Sequence, residues 1–188
     1  SGNSYAGISD TTTLSFTTAD ETSPTISSFS PADNATAIAT TSNITLNFSE
    51  AVDVETGNIV IYKASDDSVV ETIDVTSSKV TGTGSTQITI NPGSDLAEST
   101  SYYVQIAATA FDDPSSNSYA GIANKTSLSF TTADETAPTI SSSSPADDAT
   151  AVATSSNIVL NFSEAVDVET GNIIIYKASD DSVVELSL

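Results

Sequence analysis

The stretch Asn43–Asp53, NITLNFSEAVD, alternates apolar and polar side chains, with Ile44, Leu46 and Phe48 at every second position. Successive side chains of a β-strand point to opposite faces, so this period of two predicts a half-buried strand at Ile44–Phe48. The same reading predicts strands at Asn58–Lys63, Val69–Val75, Thr86–Ile90, Ser101–Ala107 and Thr126–Thr131.

Turn-forming residues separate these stretches, and the period of helices is missing. The separators are Ser30–Asp33, Asp66-Asp67, Gly82–Gly84 and Asn91–Asp95, all rich in Gly, Pro, Asn, Asp or Ser. No window of helical length keeps a 3.6-residue period. About seven short strands at this spacing predict an all-β sandwich.

The chain repeats itself at a fixed offset. NSYAGI at Asn3–Ile8 returns at Asn117–Ile122, and TTADET at Thr17–Thr22 returns at Thr131–Thr136. NFSEAVDVETGNI at Asn47–Ile59 returns at Asn161–Ile173. Each pair lies 114 residues apart, as 117 minus 3, 131 minus 17 and 161 minus 47 all give. An unbroken offset with such high identity indicates serial duplication.

The offset fixes the predicted domain organisation. Residues 1–22 are the C-terminal strand of one repeat, 23–136 form a complete repeat, and 137–188 begin the next. A unit of this length is close to the roughly 100 residues of an immunoglobulin sandwich and can bury its own core. The predicted fold class is therefore all-β, with immunoglobulin-like β-sandwich repeats in tandem.

A tyrosine follows a turn at the start of the penultimate predicted strand, within Leu96–Tyr102. Immunoglobulin-like folds keep a tyrosine corner there, in which the hydroxyl bonds to upstream backbone. The alternative is that Tyr102 or Tyr103 only packs at a strand end.

Several strings together resemble a known family: SPADNATAI (Ser30–Ile38), NITLNFSEAVD, the spacing from Leu96 to Tyr102, NSYAGI, and SFTTADETAP (Ser129–Pro138). They resemble the bacterial Ig-like repeats of S-layer proteins and giant surface adhesins. Within that family the acidic repeats are similar to the extender region of RTX-type adhesins, including biofilm adhesins. The resemblance implies an extracellular rod on the bacterial cell surface, rigidified by calcium, that holds a ligand-binding tip away from the cell.

Composition narrows the function classes. The chain has 188 residues, 25 Asp and Glu against 4 Lys and Arg, and a net charge of -21. Nucleic acid would be repelled by this charge, whereas cations would be attracted. No run approaches the about 18 apolar residues of a membrane span, so membrane insertion is not expected. With no Cys, the fold depends on packing or metal rather than on disulfides.

Acidic segments are predicted to converge at one end of the complete repeat. In an immunoglobulin topology, the linker before the repeat shares one pole with the loop after its second strand, predicted at Glu50–Asp53, and with the loop before its last strand, predicted at Asp112–Asn117. Converging carboxylates without Lys or Arg would repel one another, and Ca2+ prefers such oxygen ligands. The predicted ligands at this pole are Asp20, Glu21, Glu50, Asp53, Asp112, Asp113 and Asn117, with Glu55 nearby.

The next junction repeats the pattern, with linker Asp134 and Glu135 expected to meet Glu164 and Asp167 of the following repeat. Asp33 and Glu98 are further candidates at a junction. An ion bound by the linker and both neighbouring repeats would turn a hinge into a fixed joint. Pro24 and Pro138 follow the two linkers and each fixes a backbone torsion.

A simpler interpretation of the acidic loops is a solvated surface that prevents aggregation. The hairpin turns Asp66-Asp67 and Asp180-Asp181 fit this interpretation. No EF-hand string is present, so the calcium prediction rests on convergent charge.

An enzyme is not expected from this composition. With no His and no Cys, nucleophilic triads and thiol chemistry are excluded. A glycosidase-type carboxylate pair is arithmetically possible but would recur redundantly in each repeat. The alternative to a structural spacer is an Ig-like module that binds carbohydrate or another surface. The partial segments also predict an interaction in which 1–22 docks on 137–188, in the same chain or between molecules.

Overall fold

A computed structural model describes residues 1–187, and the last position of the predicted segment 137–188 lies outside the described residues. The chain divides into two compact units, Ser1–Glu135 and Thr136–Leu188. Residues 1–187 contain strands, turns and bends but no helix, which confirms the all-β class. Within them no helix is long and apolar enough to cross a membrane.

Ten strands in two sheets build the first unit. Their bounds are β1 Ile26–Ser30, β2 Ala35–Ile38, β3 Ile44–Val54, β4 Asn58–Lys63, β5 Val69–Asp74, β6 Val80–Thr81, β7 Ser85–Ile90, β8 Ser101–Ile106, β9 Phe111–Asp112 and β10 Ser129–Thr132. One sheet has the order β1-β3-β7-β6, with β9 also paired to β3. The other has the order β2-β10-β8-β4-β5. Apolar residues of both sheets share one continuous core.

Strand β3 lies in the middle of the first sheet. The burial of its side chains confirms the strand predicted from the alternation of its sequence. Ile44 and Leu46 are fully buried and Phe48 is 4% exposed, while Thr45 and Asn47 between them are half-buried. Leu46 lies opposite Phe29 of β1 and Ile88 of β7, both antiparallel. The period of two therefore decides which face of β3 enters the core.

The predicted loop at Glu50–Asp53 is wrong, because β3 continues through these residues to Val54. Its pairing with β7 shifts register between Asn47 and Val52, and Asp53 then pairs with Asp112 of β9. The short strand β9 supplies backbone partners that the local sequence pattern does not reveal. The other predicted strands are confirmed within one residue at each end, except the last, which begins at Ser129 rather than Thr126. There the Asn124 side chain accepts a hydrogen bond from the Thr126 N–H (2.9 Å) and forms a turn.

The last strand of the first unit pairs with both an early and a late strand. β10 is antiparallel to β8 and parallel to β2, with Phe130 opposite Ala35 and Thr132 opposite Ile38. Backbone hydrogen bonds run from the Asn34 N–H to the Ser129 carbonyl (2.7 Å) and from the Ala133 N–H to the Ile38 carbonyl (2.8 Å). The last strand of the unit thus holds the early strand β2 in the same sheet.

The tyrosine corner is present at Tyr102, which is 2% exposed. Its hydroxyl accepts a hydrogen bond from the Ala97 N–H (2.9 Å) and donates one to the Ala97 carbonyl (3.3 Å). Tyr103 points to the other face of β8, where its ring stacks on Tyr62 with 4.8 Å between centroids. The interpretation of Tyr102 as a residue that only packs at a strand end is therefore wrong.

The second unit contains two separate strand pairs. Its strands are β11 Ile140–Ser144, β12 Val159–Phe162, β13 Ile173–Lys177 and β14 Ser182–Ser187. β11 pairs with β12, and β13 pairs with β14, both antiparallel. Ile140 lies opposite Phe162, as Ile26 lies opposite Phe48 in the first unit. The repeated sequence therefore begins the same fold twice.

Candidate metal centre

Three carboxylates of the first unit converge at one end of β3. One carboxylate oxygen from each of Asp20, Glu50 and Asp113 lies within 4.8 Å of the other two. Asp20 is exposed in the linker before the sandwich, Glu50 is half-buried in β3, and Asp113 is buried in the turn after β9. Among the side chains that the structure describes, no other acidic group of this size is so closely spaced. We call this end of the unit the N-terminal pole.

Backbone contacts hold the linker against β3 beside Glu50. The Ser49 N–H donates to the Thr25 carbonyl (2.8 Å), and the Thr25 N–H donates to the Ser49 hydroxyl (3.1 Å). Pro24, immediately before Thr25, is buried. The linker therefore enters the sandwich at a fixed position, five residues after Asp20.

Hydrogen bonds within its own turn orient the Asp113 carboxylate. Its Oδ1 accepts from the N–H groups of Ser115 (2.9 Å) and Asn117 (2.7 Å), and its Oδ2 accepts from Asn117 Nδ2 (2.8 Å). Burial raises the pKa of Asp113, but these hydrogen bonds outweigh burial and hold the pKa below its usual value. The carboxylate is therefore ionised. Its two oxygens have about four lone-pair positions, and three of these accept the hydrogen bonds just described.

Asn117 connects the linker to the sandwich. In addition to Asp113, its Nδ2 donates to the backbone carbonyl of Asp20 (3.1 Å). One side chain thus contacts both ends of the acidic cluster, across 97 residues of sequence. The cluster is a junction between the linker and the repeat.

The three-carboxylate cluster does not include the other predicted residues of this pole. Asp53 and Asp112 are paired in the β3–β9 ladder, and Asp53 Oδ1 accepts from the Thr83 hydroxyl (3.2 Å). Glu21 and Glu55 are exposed. Thr83 was not predicted, because Gly82–Gly84 carries only a turn signal in the sequence.

The linker after the repeat lies at the opposite end, which we call the C-terminal pole. The Glu135 carboxylate accepts hydrogen bonds from the Thr40 N–H (3.2 Å) and hydroxyl (2.8 Å). The Glu135 N–H donates to Glu98 Oε2 (3.0 Å), and Asp134 precedes it in the same exposed linker. Asp33 lies elsewhere, at the start of β10, where its Oδ1 accepts from the N–H and hydroxyl of Ser129 (2.9 Å each). Glu98 and Asp33 are thus apart, although both were candidates for a junction.

Glu164 and Asp167 belong to the second unit, where both are exposed. They follow the end of β12 at Phe162, whereas their counterparts Glu50 and Asp53 lie inside β3. The difference has a physical cause: strands β7 and β9 extend β3 by pairing with it, and β12 pairs only with β11 among the described strands.

The donor set at the N-terminal pole fits a hard divalent cation. Calcium binds oxygen at about 2.3–2.6 Å, so two ligands on opposite sides of an ion are about 5 Å apart. The 4.8 Å limit among the three carboxylate oxygens meets this requirement. The chain contains no His and no Cys, so the nitrogen and sulfur ligands that favour zinc or copper are excluded by composition.

Comparison with known proteins gives a family match. A model of the bacterial Ig-like domain matches residues 20–132 and 134–187. No curated protein matches the chain.

Two solved structures of the bacterial S-layer protein SbsC are similar at a low level. The crystal structure of rSbsC shares 12% identity, covers 87% of this chain and 22% of that chain, and has a TM-score of 0.41. The N-terminal part of SbsC shares 11% identity, covers 87% of this chain and 37% of that chain, and has a TM-score of 0.39. This chain spans only a fraction of either protein, and at this similarity no property of SbsC extends to it.

The family match includes nearly the whole chain and is made twice, once for each unit of the tandem. It begins at Asp20, the residue of the acidic cluster that lies in the linker. The sandwich of two sheets, its tyrosine corner and this double match agree on the immunoglobulin-like class. The chain therefore belongs to the bacterial Ig-like domain family.

Proposed function

We propose that the chain is a structural spacer segment of a bacterial cell-surface adhesin, stiffened by calcium where one repeat follows another. Its partners are the neighbouring repeats of the same protein and calcium ions, and its location is extracellular. The function is mechanical rather than catalytic. The observation that carries the proposal is the convergence of Asp20, Glu50 and Asp113.

The position of this cluster supports a role at a joint. Asp20 belongs to the linker, whereas Glu50 and Asp113 belong to the sandwich, and their carboxylate oxygens lie within 4.8 Å of one another. Three like charges at this separation oppose the linker's position unless a cation offsets them. A calcium ion bound by all three would hold the linker to the repeat. Calcium takes about six to eight oxygens, so water would complete the set.

The charge of the whole chain supports the same function. A net charge of -21 makes nucleic acid an unfavourable partner and favours cations. The resemblance of the sequence to the extender repeats of RTX-type adhesins is the further support for a surface adhesin. Repeats that share nearly the same sequence suit a filament in which each joint behaves alike.

Thermal unfolding of the 188-residue chain in calcium, in magnesium and in chelator tests the proposal. At about 100 times the Kd, calcium would stabilise the folded unit by about 2.7 kcal/mol. For a unit of about 110 residues this raises Tm by about 10 °C. Magnesium should have a much smaller effect, because it demands near-ideal octahedral geometry and releases its water reluctantly.

Two variants assign the effect to the cluster. Glu50→Gln and Asp113→Asn should each remove most of the calcium-dependent rise in Tm. Asp66→Asn is the matched control, because Asp66 is an exposed carboxylate bonded to Ser68 in a hairpin turn. An unchanged Tm in calcium, or a rise that both cluster variants retain, would show that these carboxylates are a solvated surface.

A further inference from the structure

A groove of about 720 Å³ lies on the sheet β2-β10-β8-β4-β5 of the first unit. Strands β8, β10 and β2, the turn before β2 and the loop before β10 contribute its main polar residues, Ser101, Tyr103, Thr131, Thr36, Asn34 and Lys125. None of these residues belongs to a linker or to the acidic cluster. The groove is therefore a feature of the repeat itself, separate from its joints.

A bulge in β2 positions Thr36 at the groove. Thr36 and Ala37 together face the single residue Thr131, between the pairs Ala35–Phe130 and Ile38–Thr132. Ala37 has a φ of +56°, in the left-handed region that a residue with a Cβ seldom occupies. Bulges often redirect a side chain beside a functional site, and backbone strain concentrates at such sites. The local backbone thus favours a binding role for this groove.

The border of the groove changes in charge from repeat to repeat, whereas the joints do not. Among matched positions within residues 1–187, the charge differs at three places: Asn34 against Asp148, Asn124 against Asp10, and Lys125 against Thr11. Two of these positions line the groove, and the third precedes Lys125. The linker and β3 carboxylates recur unchanged, as Asp20 and Asp134, Glu21 and Glu135, Glu50 and Glu164, and Asp53 and Asp167. A constant scaffold with a varying border is typical of a recognition surface.

Lys125 is available to a ligand. Its Nζ lies 2.5 Å from Asp67 Oδ2 and 5.6 Å from the centre of the Tyr103 ring. The side chains of Lys125 and Asp67 are 56% and 51% exposed, and an ion pair this exposed contributes little to stability. Lys125 can therefore turn an N–H group towards a ligand oxygen at little cost.

We infer that this groove binds an oligosaccharide. The hydroxyl groups of Thr36, Ser101 and Thr131 can each donate and accept a hydrogen bond, as the hydroxyls of a sugar do. Tyr103 and Ala64 add apolar surface for the C–H face of a sugar ring. Ligand sites commonly measure about 300–1,000 Å³, so the groove has room for a few sugar units.

The charges around the groove select a neutral sugar. Asp33 lies beside it and accepts a hydrogen bond from Asn34 Nδ2 at its Oδ2 (2.8 Å), and Asp67 lies beside Lys125. These carboxylates and the net charge of -21 repel acidic sugars and nucleic acid. The inference goes beyond the spacer function and does not depend on calcium, because it gives the repeat a ligand between its joints.

Titration of the 188-residue chain with sugars, followed by the NMR shifts of its backbone amides, tests the inference. The probes are cellohexaose, maltohexaose and mannohexaose, each added to about 10 mM, which detects a Kd of about 1 mM. At least one should shift the amides of Thr36, Ser101 and Lys125 in a saturable way, and a hexamer of galacturonate should not. The inference is wrong if no neutral probe shifts them, if the shifts lie on the other sheet, or if only galacturonate binds.

Two variants assign the binding to the groove. Lys125→Thr introduces the residue found at the matching position Thr11, and it should raise the Kd about tenfold because a hydrogen bond from a charged donor is lost. Thr36→Val removes one hydroxyl and should raise the Kd about fivefold. Thr86→Val is the matched control, since Thr86 is exposed on β7 of the other sheet, and it should leave the Kd unchanged.

The stability of these variants is a separate measurement. Tm should stay the same in all three, because each replaced side chain is exposed. Binding that both Lys125→Thr and Thr36→Val retain at full strength, or that Thr86→Val weakens equally, overturns the inference.

Discussion

Gly121 lies where a side chain cannot be accommodated. Its φ is +75°, and an added Cβ would be 2.6 Å from the Ile106 carbonyl oxygen and 2.8 Å from the Ala108 nitrogen. Ile122 next to it exchanges both backbone hydrogen bonds with Ile106 (2.9 Å each). The absence of a side chain at Gly121 thus allows the segment before β10 to lie this close to β8.

Gly121→Ala should destabilise the first unit by about 3 kcal/mol, because strain at a positive φ adds to a backbone clash. Urea unfolding followed by circular dichroism measures this. Gly7→Ala is the matched control: Gly7 occupies the same place in the repeat, with a φ of +78°, but nothing lies within 4 Å of its added Cβ. Equal stability of the two variants would mean that the segment around Gly121 can move away from β8 at little cost.

The sequence shows which residues of the candidate site are acidic, but it does not show which distant residues they contact. The acidic identity of Asp20, Glu50 and Asp113 is visible in the sequence. The hydrogen bonds of Asp33 to Ser129 join residues 96 positions apart, and no local pattern contains them. The metal assignment itself stays a prediction.

At the scale of one strand, β8 is joined to the turn before it by the Tyr102 hydroxyl. Tyr102→Phe removes both hydrogen bonds that the hydroxyl of the buried Tyr102 makes with Ala97, and we expect a loss of about 2 kcal/mol of unfolding free energy. The Ala97 carbonyl keeps a hydrogen bond from the Thr132 hydroxyl (2.7 Å). Urea unfolding of the purified variant gives the value.

Tyr103→Phe provides the control on the same strand. Its hydroxyl donates to Asp67 Oδ1 (3.1 Å), an oxygen near solvent that water can reach, so the loss should be under about 1 kcal/mol. A Tyr102→Phe protein as stable as the Tyr103→Phe protein would show that the corner contributes packing only.

Strands were predictable where alternation and turns agree, as in Asn58–Lys63, whose bounds match β4. The predicted bounds were wrong at the end of β3 and at the start of β10. β3 extends through Glu50 because β9 pairs with it, and β10 starts late because the Asn124 side chain forms a turn. The period of two reports which face is buried, but it does not report which strand lies alongside.

Across the whole molecule, we expect repulsion between like charges to destabilise the fold by more than the ion pairs stabilise it. The described residues contain three ion pairs, Lys79–Glu71, Lys125–Asp67 and Lys177–Asp180, against a net charge of -21. In chelator, Tm should therefore rise as NaCl goes from about 0.01 M to about 1 M, which shortens the Debye length from about 30 Å to about 3 Å. Thermal scans by circular dichroism measure this.

A less acidic variant provides the comparison. Replacement of the exposed carboxylates Asp95, Asp147 and Asp148 by Asn should reduce the rise of Tm with salt. A Tm that falls with salt in the unchanged chain would show that its few ion pairs stabilise more than the excess charge destabilises.

The tandem organisation was predicted from the offset alone, because identical strings need no structural interpretation. The division into segments 1–22, 23–136 and 137–188 stays a prediction, and the structure groups residues 1–135 as one unit. The convergence of three acidic segments needed an assumed topology as well as the sequence. The pairing of β9 with β3 brings the turn containing Asp113 to the end of β3, and no local sequence pattern reveals this pairing.

The parallel pairing of β2 with β10 has a mechanical consequence. The chain enters the repeat at one pole and leaves at the other, so tension on the two linkers pulls these strands in opposite directions along their length. The hydrogen bonds between Asn34 and Ser129 and between Ile38 and Ala133 are then loaded together in shear, rather than broken one after another as in unzipping. Forced extension is governed by the rate of unfolding, and a barrier that requires several bonds to break at once keeps that rate low. The repeat would thus resist drag between its two ends better than its equilibrium stability alone suggests.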